Sequence, residues 1–249
     1  MKTRILYTFL LGFFFSTVFS QNKVKLYNAE GDNAIYKKEW SVGFRFHTNA
    51  LSAFFEHVWI KDIKKRKLLQ VNLFGLLDLR DKKSPSLLVP DKKYFYGKQN
   101  NFYSAQILYG WRRVIANKSE ISGVKLSLTY MGGITLGILK PYYLEILREN
   151  NQTTDEKYSL ETANDFLDKN IIVGAAEFGI GNNELEFTPG VTAKVGLNFD
   201  FARKNSVVTS IEVGSQIDVF YKKIRIYISE FNKPYILNFY LSVQIGKRS

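Results

Sequence analysis

The chain contains no cysteine among its 249 residues. This absence excludes a disulfide framework, thiol catalysis, a cysteine-based metal site and a lipidated N-terminal cysteine. Histidine is nearly absent as well, since only His47 and His57 are available as catalytic bases or metal ligands. Because two histidines outside a recognisable motif are weak grounds for a metal site, we expect neither a metal nor another cofactor.

Long apolar runs are also missing, except at the N-terminus. Residues 5–19 are mostly apolar and follow Lys2 and Arg4, and the small residues Val18 and Ser20 precede Gln21. This pattern predicts a cleaved secretory signal peptide over residues 1–20. The alternative is an uncleaved membrane anchor, for which the run is short, since a membrane helix needs roughly 20 apolar residues. No later segment approaches that length.

Acidic residues are outnumbered by basic ones, 23 to 35, and the net charge is +12. Such a charge often indicates a nucleic-acid partner, but the predicted export of the protein argues against one. The mean hydropathy of −0.16 is that of a soluble protein. An alternating transmembrane barrel gives the same average, because half of each strand is polar.

What the chain does contain is alternation, which is clearest in residues 207–219. Ile211, Val213 and Ile217 fall on one face of this segment, and Glu212 and Asp218 fall on the other. A period of two over this length predicts a β-strand. Comparable segments, one of them poorly alternating, bring the number of predicted strands to eight: 40–48, 51–60, 68–79, 100–116, 121–133, 191–201, 207–219 and 237–245.

The lengths of these segments favour lipid rather than a protein core against their apolar faces. Several run to about 11–13 residues, whereas globular strands usually have about 5–6 and membrane strands need about 9–11. Their connections alternate, with short turns near residues 61–67, 117–120 and 203–206 and long loops at 80–98, 140–188 and 221–234. We therefore predict an all-β, antiparallel, up-and-down transmembrane β-barrel of eight strands with long outer loops.

In this reading residues 21–39 form an N-terminal leader and residues 40–249 form the outer-membrane barrel domain of a Gram-negative bacterium. The first outer loop, near Asn49, is an exception, because it is very short whereas the other predicted outer loops are long. The longest region without periodicity, 148–186, is expected to be an irregular surface loop with a short helix near residues 159–167. The rival is a secreted lipocalin-like barrel or sandwich, which would turn its apolar faces inward.

Two short stretches carry a resemblance to a known group of proteins. Residues 96–102, Y-G-K-Q-N-N-F, and residues 136–145, L-G-I-L-K-P-Y-Y-L-E, resemble a family of exported proteins from Bacteroidota. Members of that family look like small outer-membrane β-barrels, and no established activity is associated with them. The resemblance extends over most of the chain after residue 40. It implies fold and location, and it transfers no catalytic residue.

Polar side chains on the faces opposite the apolar ones predict an interior network. Burying such groups in a narrow barrel requires pairing, so salt bridges that fill the interior are favoured over a proton or ion path. The predicted network comprises Arg45, His47, Lys125, Lys194, Asp200, Glu212 and Asp218. Within it, we expect Lys or Arg partners for both Glu212 and Asp218.

The outer loops hold the candidate recognition residues. The basic loop 80–98 offers Lys82, Lys83, Lys92, Lys93 and Lys98 to anionic lipopolysaccharide or an acidic protein, and a merely solvated loop is equally compatible.

We expect no catalysis, because neither His47 nor His57 lies in a nucleophile motif. The function hypotheses are a structural or interaction barrel with outer-membrane lipid and an envelope protein as partners, a small-solute or ion pore, and a lipid-modifying enzyme.

Overall fold

The computed structural model describes residues 36–60, 62, 64–77, 81–117, 123–202, 206–228 and 232–249. The predicted signal peptide and most of the predicted leader lie outside the described residues. So do parts of three predicted turns, 61–67, 117–120 and 203–206, and the last two residues of the predicted strand 68–79.

Thirteen strands and one short helix make up the described chain. They are β1 (Lys38–His47), β2 (Ala50–Trp59), β3 (Lys65–Leu76), β4 (Lys83–Pro85), β5 (Lys93–Phe95), β6 (Asn100–Ala116), β7 (Lys125–Pro141), β8 (Tyr143–Leu147), β9 (Thr153–Lys157), α1 (Ala163–Leu167), β10 (Ile172–Ala175), β11 (Glu186–Asp200), β12 (Val207–Phe220) and β13 (Tyr235–Arg248). No helix in the described residues is long and apolar enough to cross a membrane.

Eight of the strands close into one barrel in the order β1-β13-β12-β11-β7-β6-β3-β2. Each neighbouring pair is antiparallel, and the closing pair runs from Glu39↔Arg248 to His47↔Tyr240. The prediction of an eight-stranded antiparallel barrel is confirmed. The barrel starts earlier than predicted, because Lys38 and Glu39 belong to β1 and not to a leader.

The fifth predicted strand is longer than its clearest alternation suggests. β7 has 17 residues and ends at Pro141, whose missing N–H is harmless at a strand end. The strand passes through Gly132 and Gly133, where the predicted segment 121–133 ends, and continues for eight more residues. A Cβ on Gly133 would lie 1.9 Å from the carbonyl oxygen of Ile107 on β6, so glycine is required for the two strands to approach.

Connections alternate between the two ends of the barrel. The first residues of β1, the last residues of β13 and the strand ends that flank the connections after β2, β6 and β11 share one end, called here the terminal end. The other, outer end holds the tight turn at Thr48 and Asn49 and the three long connections. Each barrel strand pairs with the next barrel strand along the chain, and the β1–β13 pair closes the barrel. The predicted up-and-down order and the long outer loops are confirmed.

The outer loops are folded, which the sequence did not indicate. Residues 81–98 and 142–185, called here the loop module, contain the β4–β5 hairpin, the three-stranded sheet β10-β8-β9 and α1. They share a small apolar core of Tyr94, Tyr142, Leu144, Ile146, Phe166 and Ile172. The expected irregular loop over 148–186 is thus wrong, although its short helix is present with Thr162 at the N-cap position.

In the third long connection, residues 221–228 cover the outer mouth of the barrel. Ile224, Ile226 and Tyr227 are buried there against inward-facing apolar side chains of the barrel. Those barrel residues are Ala50, Phe74, Phe102, Leu139 and Phe220. Main-chain bonds tie the connection to the base of the loop module, since the N–H groups of Gln99 and Asn100 both donate to the Ile226 carbonyl.

Candidate functional site

The barrel interior holds one continuous set of ion pairs that begins at the terminal end. Glu39 accepts from Arg66 at 3.2 Å and from Arg248 at 2.8 Å. Arg248 also donates to Asp200 at 2.5 Å, and a nitrogen of Arg112 lies 3.7 Å from Glu39. All five side chains are buried. Alternating charges therefore compensate one another where water is excluded.

Arg112 carries the set into the middle of the barrel. Its guanidinium donates to Glu56 at 2.9 Å and lies 3.5 Å from Glu212. Glu212 in turn accepts from Lys194 at 3.1 Å and from the Tyr240 hydroxyl at 2.9 Å. Glu56 lies on β2, Arg112 on β6 and Glu212 on β12, and none of these strands is next to another in the barrel. The side chains therefore meet across the lumen and fill it.

Arg45 lies beside this set but is held differently. Its guanidinium carbon is 4.6 Å from the ring centroid of Phe54 and 4.7 Å from that of Tyr240. One nitrogen donates to Gln70 at 3.1 Å, and the same amide oxygen accepts from Lys194 at 3.1 Å. Two aromatic faces and an amide thus compensate a fully buried charge by cation–π attraction and hydrogen bonding.

Asp218 has neutral partners, so the expectation of a Lys or Arg beside it is wrong. It accepts from the Thr192 hydroxyl at 2.5 Å and from the amides of Gln106 and Gln216 at 2.9 and 3.1 Å. Gln106 lies on β6, across the lumen from β12. These hydrogen-bonded amides form a layer in the lumen between the ion pairs and the apolar cover of the outer mouth.

The predicted network residues all face the interior, but not all join one cluster. Lys194, Glu212 and Arg45 lie together, and Asp200 connects to them through Arg248. Lys125 is buried opposite Asp200 in the β7–β11 register. The central members that the prediction missed are Glu39, Glu56, Arg66, Gln70, Arg112 and Arg248. The sequence does carry a signal for them, because each lies an even number of residues from another inward-facing side chain of its strand. Arg112 is so related to Gln106, and Arg248 to Gln244.

The two histidines occupy opposite sides of the barrel wall. Inside, His47 Nε2 lies 3.0 Å from the Ser52 hydroxyl, and its ring packs edge-on against Phe74. Its Nδ1 has no hydrogen-bond partner among the described residues, so the pair lacks the third group of a catalytic triad. Outside, His57 packs against Trp59 with ring centroids 4.6 Å apart. The described residues contain no cluster of three potential metal ligands.

The predicted loop lysines fall into two groups. Lys82, Lys83, Lys92 and Lys93 are exposed, and Lys92 pairs with Glu145. Lys98, in contrast, is only 5% exposed and its ammonium group lies 2.8 Å from Asp81. Asp81 also accepts from the Tyr227 hydroxyl at 2.5 Å. Lys98 therefore anchors the loops to each other and is corrected from a recognition residue to a structural one.

Three lysines line one cleft at the outer end of the barrel: Lys83, Lys93 and Lys140. Two tyrosines in its lining remain neutral donors, because burial raises the pKa of Tyr142 to about 12 and burial with the Glu184 hydrogen bond does the same for Tyr143. Hydrogen bonds from Lys157 and from Tyr143 hold the pKa of Glu184 below its usual value. Charge at this rim is therefore carried by lysine ammonium groups and by carboxylates.

No protein-family model matches the chain, and no curated protein matches it either. Among solved structures, it is similar to Neisserial surface protein A at 9% identity, over 85% of this chain and 96% of that one, with a TM-score of 0.41. It is similar to Ail, the attachment invasion locus protein of Yersinia pestis, at 8% identity over 85% and 95%, with a TM-score of 0.39. The N-terminal β-barrel domain of Pseudomonas aeruginosa OprF gives 8% identity over 85% and 96%, with a TM-score of 0.36. These likenesses are distant, and the proposals below rest on this chain's own geometry.

Proposed function

We propose that the protein is an integral outer-membrane β-barrel with a structural or protein-interaction role in the cell envelope and no catalytic activity. The observation that carries the proposal is the apolar outer surface, to which all eight barrel strands contribute. Large side chains on it are exposed to an unusual degree, for example Phe44 at 63%, Leu73 at 64% and Phe239 at 66%. A surface of this kind would aggregate in water and is stable in lipid.

The distribution of charge on the outer surface supports a membrane belt. On the described strands, outward-facing positions between the two ends of the barrel hold no acidic or basic residue. The outward-facing basic residues lie at the ends instead, and those at the terminal end are Lys38, Lys65, Lys67, Arg113 and Lys247. All three tryptophans of the chain, Trp40, Trp59 and Trp111, face outward near the same end. Tryptophan and lysine at one level are typical of a membrane–water interface.

The filled interior supports a closed barrel over a pore. Hydrogen bonds join side chains of separated strands across the lumen, such as Lys194 to Gln70 and Gln106 to Asp218. An eight-stranded barrel has room inside for little more than side chains. Interaction with other molecules therefore belongs to the outer surface and the loop module.

The loop module is the surface that we propose meets an envelope protein or the lipopolysaccharide of the outer leaflet. Its own apolar core gives it a fixed shape, which a recognition surface needs. The two stretches behind the Bacteroidota resemblance meet at the base of this module, where Asn101 pairs with Lys140. Membership of that family and export through a signal peptide cleaved before Gln21 are parts of the same proposal, which includes no nucleic acid and no cofactor.

Fractionation of cells that express the full chain tests the proposal. We expect the protein in the outer-membrane fraction, resistant to carbonate extraction, with an N-terminus at Gln21. Its gel migration should change on boiling, since barrels of this kind stay folded in cold detergent. Recovery in the soluble periplasmic fraction would contradict the proposal. Affinity purification from detergent extracts then shows whether an envelope protein copurifies in a fixed ratio.

A further inference from the structure

A cleft of about 240 Å³ lies where the loop module meets the barrel rim, outside the barrel wall. Lys140 and Asn101 contribute the rim from the outer ends of β7 and β6, where the two residues pair. The hairpin contributes Lys83 from β4 and Lys93 from β5, and Phe178 closes the opposite side. Two segments distant in sequence, the β4–β5 hairpin and the end of β7, thus bring three ammonium groups to one cleft.

The charge in this cleft is not balanced by the protein. Glu177 is the only carboxylate in the lining, against three lysines. Within the described part of the chain, no carboxylate lies within ion-pair distance of Lys83, Lys93 or Lys140. Lys140 is only 5% exposed, and its contacts are the carbonyl oxygen of Phe178 and the ring of that residue, 3.9 Å from the ring centroid. An ammonium group has three donors, and burying one favours an anion beside it.

The position of the cleft relative to the apolar belt indicates which anion is available. Lys140 faces outward two residues beyond Ile138, and Asn101 stands two residues beyond Tyr103 on the neighbouring strand. Two residues of strand correspond to about 7 Å before tilt. The cleft therefore opens directly above the surface proposed to contact lipid chains, at the level of the lipid headgroups.

The other lining groups suit a sugar that carries this anion. Tyr142 offers a hydroxyl proton, since its oxygen accepts from the Phe95 N–H at 3.0 Å, whereas the Tyr143 hydroxyl already donates to Glu184 at 2.8 Å. The rings of Phe95 and Phe178 offer apolar faces against which sugar C–H groups pack. A volume of about 240 Å³ gives room for one phosphorylated sugar.

We propose that the cleft binds a phosphorylated sugar of the lipopolysaccharide headgroup in the outer leaflet. Lys83, Lys93 and Lys140 would donate charge-assisted hydrogen bonds to the phosphate oxygens, and the aromatic rings would hold the sugar. The inference rests on the proposed membrane location. It deepens that proposal by naming a ligand class and the residues that recognise it.

Binding of lipid A to the purified full-length chain in detergent tests the inference. The probes are phosphorylated lipid A, the same lipid after enzymatic dephosphorylation, soluble glucose 1-phosphate and a polyglutamate peptide. We expect phosphorylated lipid A to bind at least about tenfold more tightly than the dephosphorylated lipid, as the loss of charge-assisted bonds implies. Equal affinity for the two lipids, or tighter binding of polyglutamate, would overturn the inference.

Matched variants assign the binding to the cleft. Lys83→Gln with Lys93→Gln should abolish the preference for phosphate, whereas Lys82→Gln with Lys223→Gln removes the same charge from exposed loop positions outside the cleft and should keep it. Equal loss of the phosphate preference in both double variants would show that positive charge anywhere on the loops is sufficient. That result would overturn the assignment of binding to the cleft.

Competition by glucose 1-phosphate would support recognition of the phosphorylated sugar by itself. Its failure to compete would support the lipid-borne form when the variants behave as expected. Because the assay is done in detergent, a failed lipid preference with normal membrane fractionation rejects the cleft alone. Recovery of the protein in the soluble fraction rejects the membrane location instead.

Discussion

At the scale of single residues, the side of the wall that a side chain faces decides its role. Glu56 and His57 are adjacent, yet Glu56 joins the buried ion pairs and His57 packs on the outside against Trp59. Arg112 and Arg113 differ in the same way, since Arg112 is buried and Arg113 is exposed. The two arginines give a matched comparison in which the side chain is the same and only its environment differs.

Replacement of Arg112 by Met should destabilise the protein strongly. The change leaves Glu56 and Glu212 without one of their partners, and breaking a buried pair costs about 3–5 kcal/mol. Urea unfolding in detergent micelles measures the difference. Arg113→Met is the control and should change stability by less than about 0.5 kcal/mol, as exposed substitutions usually do. Equal effects at the two positions would contradict a buried role for Arg112.

At the scale of the element, each barrel strand has one face toward the barrel interior and one toward the outside. β12 places Val207, Val213 and Val219 on the same outward face, with Glu212 and Asp218 inward. Alternation in the sequence defines the two faces, but it does not state whether lipid or water meets the apolar one. The depth dependence of a charged substitution distinguishes these cases.

Val213→Arg should cost about 2–4 kcal/mol, because a charge near the middle of the bilayer is expensive, and Val207→Arg on the same face near the terminal end should cost about 0–1 kcal/mol. The measurement is reversible unfolding from lipid vesicles. Both valines are substantially exposed, at 49% and 38%. In water the two substitutions would therefore be nearly neutral alike, and that result would contradict lipid contact.

The loop elements mark where sequence reasoning failed. β8, β9 and β10 have only four or five residues each, so any alternation in them is too short to be recognised in the sequence. Leu144, Ile146 and Ile172 become buried only when segments separated by some 25 residues pair with each other. Their packing is a property of the assembled module and not of either segment.

At the scale of the whole molecule, closure of the sheet converts eight alternating segments into an inside and an outside. The interior then contains an ion-pair layer, an amide layer around Asp218 and an apolar cover that includes Phe74 and Ile226. We expect each of the three layers to hinder solute passage by itself. Removing the uppermost should therefore leave the lower two in place.

Purified protein should show no stable conductance steps in planar bilayers, either as the natural chain or as the Phe74→Ala and Ile226→Ala double variant. The ion pairs of Arg112 and Lys194 still fill the lumen in that variant. A large porin reconstituted in the same way verifies that the bilayer reports open channels. Reproducible steps from the natural chain would show a passage and favour the pore hypothesis.

The sequence by itself determined the strand count, the up-and-down order, the long outer loops and the two faces of each clear strand. These follow from local periodicity, which each segment carries independently of the others. Inward placement of Arg45, Lys194 and Glu212 follows from the same periodicity. The missed Arg112 lies in the predicted strand 100–116, to which no faces were assigned, and the missed Arg248 lies three residues beyond the end of the predicted strand 237–245.

Only the tertiary structure decided which charges meet, because partners such as Glu39 and Arg248 are brought together by barrel closure and not by spacing along the chain. The same reason applies to the neutral surroundings of Asp218 and to the pairing of Lys98 with Asp81. It applies equally to the cleft, whose lysines come from three strands. Periodicity is local and fixes the direction of a side chain, whereas its neighbours across a lumen or a loop depend on the closed three-dimensional path of the chain.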